Sequence, residues 1–161
     1  MSPITTAAQV AHIAVQLLAR GEWLAVAESC TGGLIAAACT ERAGSSQWFE
    51  RGLVSYSNRA KQELLGVPEA VLLAHGAVSE VTVRAMAQGL LARAPVQHTL
   101  AVSGIAGPTG GSADKPVGTV WIAWAGAAGV RAEHYLFAGD REAVRQQAVQ
   151  AALAGLITQL G

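Results

Sequence analysis

Two segments of this sequence offer side chains that could act as a nucleophile and its base. The segment 28–33 reads ESCTGG and offers the Ser29 hydroxyl beside two glycines, which let the backbone approach a ligand closely. The segment 55–61 reads SYSNRAK and ends at Lys61, one of two lysines in the chain. A desolvated lysine can lose its charge and accept the proton of a serine hydroxyl. Tyr56 in the same segment is a candidate proton relay or anchor.

Each of these residues also has an alternative interpretation. The 28–33 segment is compatible with a tight strand-to-helix turn that has a Ser or Thr N-cap, and Lys61 with an exposed helix. Cys30 is a rival nucleophile, because thiolates are intrinsically reactive, but it needs a cationic neighbour to ionise. Adjacent residues of an extended chain face opposite sides, so only one of Ser29 and Cys30 faces a pocket, and we expect Cys30 to pack inside. Glu28 is expected either to orient Lys61 or to cap a backbone group.

A third segment is rich in glycine, and residues 103–112 read SGIAGPTGGS. It fits a loop that wraps a ligand, or a mobile connection between strands. The four histidines are scattered, with no HExxH or paired CxxC pattern, so no metal site is expected. The two cysteines, Cys30 and Cys39, do not form a disulfide framework, since we expect one at a strand–helix junction and the other in the next helix.

The hydrophobic pattern predicts the elements that position these segments. Short apolar runs alternate with helical periodicity, and glycine, proline and capping residues mark the boundaries. We predict helices over 7–20, 34–42, 58–65 (capped by Asn58), a short stretch from 67, 80–94 (capped by Ser79) and 141–160, and strands over 24–27, 52–57, 99–102, 118–124 and 130–137. The order predicts a single α/β domain over residues 1–161, a three-layer α/β/α fold with a mixed β-sheet. Loops after parallel strands meet at one edge of a sheet, so the three segments should converge.

The amino-acid composition excludes several classes of protein. The chain has 161 residues, 52% of them hydrophobic and 14% charged, which is incompatible with intrinsic disorder. Eleven basic and eleven acidic residues cancel, so no nucleic-acid partner is expected. The N-terminus has the pattern of an amphipathic helix and not of a signal peptide, and no apolar run would span a membrane. We therefore expect a cytoplasmic domain without a membrane partner, and its weakly charged, apolar composition favours a homo-oligomer.

Together these segments resemble one family, the CinA C-terminal domain, also known as nicotinamide-nucleotide amidohydrolase. The matching stretches occur in the same order over nearly the whole chain. The chain is similar to the stand-alone form of the family, so we expect no preceding CinA partner domain. The matching stretches are AESCTGG (27–33), AGSSQWFERGLVSYSNRAKQELLGV (43–67), HGAVSE (75–80), SGIAGPTGGSADKPVGTVWIA (103–123) and AGDREAVRQQA (138–148).

The resemblance implies an enzyme of pyridine-nucleotide salvage, an NMN deamidase. It would hydrolyse the carboxamide of nicotinamide mononucleotide to nicotinic acid mononucleotide and ammonia, with neither cofactor nor metal. By the resemblance, Ser29 matches the nucleophile, Lys61 the general base and Tyr56 a supporting, proton-relaying residue. Candidates to bind the substrate and its phosphate lie in the two glycine loops and the last helix: Thr31, Gly32, Gly33, Ser103, Gly104, Gly107, Gly110, Gly111 and Arg145.

Two other functions are compatible with the same residues. A non-catalytic regulatory module could bind a pyridine nucleotide in the glycine loops, and an amidase could act on another nucleotide or ribosyl amide. The joint presence of Ser29, Tyr56 and Lys61 favours an enzyme, because phosphate binding alone does not require all three.

Overall fold

The carboxyl ends of three parallel strands build one edge of the central sheet. A computed structural model describes residues 4–161, and its five strands have the order β2-β1-β3-β4-β5. Strand β1 pairs in parallel with β2 and β3, whereas β4 is antiparallel to both β3 and β5, so the sheet is mixed. The elements are α1 (Thr6–Arg20), β1 (Leu24–Glu28), α2 (Leu34–Glu41), a 3-10 turn (Ser45–Gln47), β2 (Phe49–Val54), α3 (Asn58–Leu65), α4 (Glu69–His75), α5 (Glu80–Arg93), β3 (His98–Gly104), β4 (Thr119–Gly126), β5 (Gly129–Leu136) and α6 (Arg141–Leu160).

Helices cover both faces of the sheet, which confirms the predicted three-layer α/β/α fold. One core lies between the sheet and α1, α2 and α6, and Trp124 of β4 is buried in it with its indole N–H donating to the Ala152 carbonyl. The other core lies between the sheet and α3, α4 and α5. Strand β1 is buried along its whole length, as expected of a strand with neighbours on both sides and helices on both faces.

The structure corrects the predicted boundaries around β2. We predicted a strand over 52–57, but the strand is Phe49–Val54 and pairs with β1 from Leu24 onward. Residues 55–57 leave the sheet and turn into α3. The N-cap of α3 is Ser57, whose hydroxyl accepts a hydrogen bond from the Ala60 N–H, and not Asn58, which is the first residue of the helix.

Several predicted helix boundaries are confirmed. Ser79 caps α5 by accepting from the Thr82 N–H, and α6 spans 141–160 as predicted. Gly66 ends α3 with a φ of +68°, a conformation that glycine adopts at little cost. Both cysteines are free and buried. Within residues 4–161, none of the helices is long and apolar enough to cross a membrane.

Candidate active site

Ser29 and Lys61 form the centre of the candidate site. Lys61 Nζ lies 3.0 Å from Ser29 Oγ, although the residues are 32 positions apart. Ser29 follows β1 directly, and Lys61 lies near the start of α3, which follows β2. Ser29 is 7% exposed and Lys61 is fully buried, so the hydroxyl is the more accessible group. A hydroxyl within hydrogen-bond distance of an amine is the geometry that a serine nucleophile and its base require.

The surroundings of Lys61 favour its neutral form. Burial lowers the pKa of Lys61 from 10.5 to about 8, because desolvation disfavours the ammonium ion, and the nearby Cys30 opposes this weakly. In the described part of the chain, no carboxylate lies within ion-pair distance of the amine. The pKa of a lysine with neither water nor a counter-ion falls toward the range in which it acts as a base.

Two backbone carbonyls complete the contacts of the amine. Lys61 Nζ donates to the carbonyl of Ser55 at 2.9 Å and to that of Tyr56 at 2.8 Å. Carbonyls only accept, so a neutral amine satisfies both with its two N–H groups and directs its lone pair at the Ser29 hydroxyl. An ammonium ion donates to the same three oxygens, and the Ser29 hydroxyl then has the Tyr56 carbonyl, 3.5 Å away, as an acceptor. The network therefore accommodates both protonation states.

Local structure explains why these carbonyls face Lys61. The backbone leaves the sheet after Val54, and the Ser55 N–H still donates to the Glu28 carbonyl at 2.8 Å. The Ser57 cap then starts α3, which carries Lys61 back over the two residues that have just left the strand. The lysine is thus held by the turn that precedes its own helix, and that turn is anchored to β1.

A buried carboxylate fixes the turn that carries Ser29. Glu28 is fully buried, and its two carboxylate oxygens accept the backbone N–H groups of Ile35 at 2.9 Å and Ala36 at 3.0 Å. Those are N–H groups of the first turn of α2, whose N-cap Gly33 has no side chain to satisfy them. Of the two expected roles of Glu28, the contacts support the cap and not the orientation of Lys61.

Cys30 has the environment of a packing residue. Its side chain lies in the core beneath α6, and its residue is 6% exposed. Burial raises the pKa of the Cys30 thiol from 9.0 to about 11, even though Arg145 and Lys61 act in the opposite direction. The thiol is therefore protonated at neutral pH, and a protonated thiol is a poor nucleophile.

Comparisons with known proteins place this geometry in a family. The family model described as the CinA C-terminal domain matches residues 6–160. The chain belongs to the CinA C-terminal domain family. It is 59% identical over 138 residues to the nicotinamide-nucleotide amidohydrolase PncC of Enterobacter agglomerans, covering 85% of this chain and 84% of the relative. It is 52% identical over 161 residues to the protein of the same name from Pseudomonas putida, covering 100% and 99%.

Solved structures of CinA proteins have the same fold. A crystal structure of the competence damage-inducible protein A from Klebsiella pneumoniae superposes with a TM-score of 0.94 at 43% identity, covering 98% of both chains. A CinA superfamily protein from Enterobacter cloacae has a TM-score of 0.95 at 37% identity, covering 100% of this chain and 95% of the other.

The predicted substrate-binding residues of this CinA domain fall into two groups. Gly32 and Gly33 have φ angles of +57° and +103° and make the turn after Ser29, so they lie beside the nucleophile. Gly104 also lies near this turn, because a Cβ placed on it would be 3.1 Å from Cys30 Sγ. Thr31 and Ser103 are buried, so their side chains are not presented to a ligand at the surface.

The rest of the glycine-rich loop makes no hydrogen bond with Ser29 or Lys61. The Gly107 carbonyl accepts a hydrogen bond from Arg141 at 2.7 Å, which fixes this buried glycine to α6. Gly110 and Gly111 are exposed, and no contact joins them to Ser29 or Lys61. Arg145 reaches the turn after Ser29, but its guanidinium donates to backbone carbonyls of that turn.

Three contributors were not predicted from the sequence. The Ser55 carbonyl binds Lys61, the Val102 carbonyl accepts the Ser29 N–H at 3.0 Å, and Arg141 anchors Gly107. Ser55 and Val102 act through main-chain atoms, which residue type does not reveal. Across residues 4–161 there is no group of three His, Cys, Asp or Glu side chains placed to hold a metal ion.

Proposed function

We propose that this CinA domain is a serine amidohydrolase that releases ammonia from nicotinamide mononucleotide. The observation that carries the proposal is the 3.0 Å contact between the Ser29 hydroxyl and the buried Lys61 amine. The substrate class comes from relatives that are named nicotinamide-nucleotide amidohydrolase and are similar over nearly the whole chain.

In the first step, Lys61 acts as the general base. The Ser29 hydroxyl transfers its proton to the lone pair of the neutral Lys61 amine while Oγ bonds to the carboxamide carbon of the substrate. The ammonium ion so formed keeps two backbone acceptors, because the Ser55 and Tyr56 carbonyls stay in place. The carbonyl electrons of the amide move to its oxygen, which becomes an oxyanion.

The turn after Ser29 supplies donors for that oxyanion. The backbone N–H groups of Thr31 and Gly33 have no acceptor within residues 4–161, whereas that of Gly32 donates to the Ser29 carbonyl. Preorganised backbone donors stabilise the charge that develops in the transition state. Collapse of the intermediate breaks the C–N bond, and the Lys61 ammonium returns its proton to the leaving amine, which departs as ammonia.

Tyr56 is proposed to assist the leaving group. Its side chain is 60% exposed, and its hydroxyl has no hydrogen bond to Ser29 or Lys61, which contact only its carbonyl. The phenol is therefore free to meet the departing nitrogen of a bound substrate. Water then attacks the acyl-enzyme while Lys61 takes a proton from that water. Lys61 returns the proton to Ser29 Oγ as the C–O bond breaks, so release of the acid regenerates the hydroxyl.

The charge of the substrate complements this mechanism. The pyridinium ring of nicotinamide mononucleotide is cationic and withdraws electrons from its carboxamide, which makes the amide carbon more electrophilic. A positive ring near Lys61 also lowers the pKa of the lysine further by like-charge repulsion. A cationic amide is therefore a suitable substrate for an enzyme whose base is a neutral amine.

The test measures ammonia release from nicotinamide mononucleotide by the full chain. We expect Ser29→Ala and Lys61→Met each to lose ~100-fold or more of kcat, while Arg59→Gln stays close to the parent. Arg59 lies on the same helix, is exposed, and among residues 4–161 forms an ion pair with Glu63 alone. Mass spectrometry of the chain quenched during turnover should locate an acyl adduct on Ser29.

Three results would contradict the proposal. Full activity in either variant would reject the serine and lysine roles. Saturable binding of the nucleotide without ammonia release would instead support a regulatory module. Turnover of another ribosyl amide with nicotinamide mononucleotide inert would keep the chemistry and reject the substrate.

A further inference from the structure

We propose that Arg145 is a positioning residue that orients one oxyanion donor, the Thr31 N–H of the turn after Ser29, and that it is not a ligand of the substrate phosphate. The inference rests on the proposed function, since it concerns how the same site stabilises its transition state. It departs from the expectation that Arg145 binds phosphate.

The guanidinium of Arg145 is committed to the backbone. Its Nε donates to the Cys30 carbonyl at 3.0 Å and one terminal nitrogen donates to the Thr31 carbonyl at 3.3 Å. Two adjacent carbonyls of one turn are thus held by one rigid fork that reaches from α6, 114 or more positions away in sequence. A planar guanidinium with several donors can fix two acceptors together, which the ammonium of a lysine does less well.

The contact with the Cys30 carbonyl also fixes the direction of the Thr31 N–H, because the two belong to one planar peptide group. The Cys30 carbonyl and the Thr31 N–H belong to the same peptide group, and that peptide is trans. In a trans peptide the C=O and N–H bonds point in opposite directions. Arg145 reaches the Cys30 carbonyl from α6, so the Thr31 N–H points away from Arg145. Since α6 and α3 pack on opposite faces of the sheet, we infer that this N–H is directed to the side from which α3 brings Lys61.

The contact also strengthens the donor. A cation that binds the oxygen of an amide polarises the whole group, so the N–H of the same amide becomes a better hydrogen-bond donor. The Thr31 N–H has no acceptor within the described residues, and the Thr31 side chain is fully buried. Thr31 therefore contributes its main-chain N–H and not its hydroxyl.

A cavity beside Arg145 makes rescue by free guanidinium a suitable test. Arg145 borders a cavity of about 490 Å³ at the start of α6, together with Leu34, Arg141, Glu142 and Gln146. A guanidinium ion from solution can reach this cavity when the side chain is removed. Gly32 also packs here, since a Cβ on it would be 3.3 Å from the terminal nitrogen of Arg145.

The experiment separates positioning from phosphate binding by comparing nicotinamide mononucleotide with the same nucleoside lacking phosphate. For Arg145→Ala, we expect kcat to fall ~10- to 100-fold on both substrates with KM within about twofold of the parent, because a misdirected oxyanion donor costs transition-state binding only. Millimolar guanidinium should recover part of kcat in the variant and leave the parent unchanged. The kcat of Arg145→Lys should lie between those of the parent and Arg145→Ala. The lysine variant replaces the alanine variant in the test if the latter does not fold.

Arg84→Gln is the matched control, since Arg84 also donates to a backbone carbonyl, that of Val130, at 3.0 Å but far from Ser29. Its kcat should stay near the parent value. A raised KM for the phosphorylated substrate alone, or an unchanged kcat, would overturn the proposal in favour of phosphate binding or of no role.

A second measurement does not depend on the proposed substrate. In a reaction with a fluorophosphonate, Ser29 Oγ bonds to phosphorus and displaces fluoride, which leaves a tetrahedral adduct with an oxygen at the oxyanion position. The rate of adduct formation, followed by intact mass, should fall in Arg145→Ala and not in Arg84→Gln. If the parent released no ammonia from either the nucleotide or the nucleoside, the proposed function would fail. The rate of adduct formation would still decide the role of Arg145. An equal rate in all three chains would reject the role.

Discussion

The amine of Lys61 lies 3.0 Å from the hydroxyl of Ser29 and is buried completely by the protein around it. The two residues belong to different helix–strand units and come together because β1 and β2 are parallel neighbours whose carboxyl ends share one edge of the sheet. The fold therefore excludes water from the lysine, while the hydroxyl that the lysine contacts stays accessible from outside. The chemistry proposed for the site follows from that combination.

The first prediction concerns the pH dependence of kcat/KM. Activity requires the neutral Lys61 amine, so kcat/KM should rise with pH and level off above about 8, the pKa to which burial lowers this group. At pH 7 about a tenth of the amine is neutral, against about one part in three thousand at the ordinary value of 10.5. Rates of ammonia release at saturating and low substrate between pH 6 and pH 10 would check this. A flat profile would exclude lysine as the base.

The second prediction concerns stability. The pKa of Lys61 is lower in the folded chain than in the unfolded chain, so the unfolded chain binds more protons between about pH 8 and 10.5. The contribution of Lys61 to the free energy of unfolding therefore rises with pH in that window, by at most ~3 kcal/mol.

The measurement is the difference between the parent and Lys61→Met in urea denaturation at several pH values. The advantage of the methionine variant should be largest below pH 8 and should shrink as the pH rises toward 10.5. Both chains share the buried Cys39 thiol, whose raised pKa affects stability in a neighbouring range, so its contribution cancels. Lys61 lowers the pKa of Cys30, so the comparison is made with Cys30→Ala in both chains. A difference that does not change with pH would show that Lys61 titrates normally in the folded chain.

Tyr56 provides the third prediction, because its carbonyl and its phenol have separate roles. Tyr56→Phe keeps the carbonyl that binds Lys61, so the inflection of the pH–rate profile should stay near 8. Loss of the proposed relay should lower kcat by ~10-fold or more. An unchanged kcat would leave Tyr56 with its backbone contact alone. A shifted inflection would show that the side chain also controls the environment of Lys61.

Cys30 provides the fourth prediction. Its thiol is buried and its pKa is raised to about 11, so Cys30→Ala should keep kcat within about threefold of the parent. The variant should unfold ~1 kcal/mol more easily, because a buried sulfur leaves a small cavity. Iodoacetamide should inactivate parent and variant equally slowly. Inactivation of the parent alone would return Cys30 to the role of nucleophile.

The convergence of the three segments could be predicted from the sequence, because short buried strands alternating with helices place the following loops at one edge. What could not be predicted is how each residue contributes there. The role of Ser55 and Tyr56 depends on the strand ending at Val54, three residues earlier than the apolar pattern predicts, so that their carbonyls turn toward Lys61. Boundaries of this kind are set by pairing with β1, which a local pattern does not contain.

Long-range contacts explain the remaining differences. Arg145 was a candidate for phosphate because of its charge, and its two carbonyl partners depend on how α6 packs against the turn after Ser29. The substrate roles of Gly110 and Gly111 stay predictions, since no bound ligand tests them. Ser57 replaced Asn58 as the cap of α3 because both residue types favour this position and only the backbone geometry distinguishes neighbours.

Glu28 provides the last prediction, because it fixes the turn that carries Ser29 without touching Lys61. Its carboxylate accepts two backbone N–H groups of α2, and Glu28→Gln replaces one of the two acceptor oxygens by an amide that cannot accept. A buried N–H then loses its partner, so the free energy of unfolding should fall by ~1–3 kcal/mol, measured by urea denaturation.

A matched control is Asp140→Asn, which changes the exposed cap of α6, where the side chain accepts a single N–H, that of Ala143, at 2.9 Å. Asparagine keeps an accepting oxygen at that position, so this variant should lose well under 1 kcal/mol. The kcat of Glu28→Gln should fall more than that of Asp140→Asn, because only Glu28 holds the helix that follows the Ser29 turn. Equal stability of Glu28→Gln and the parent would mean that the N–H groups of α2 find another acceptor and that the turn does not depend on Glu28.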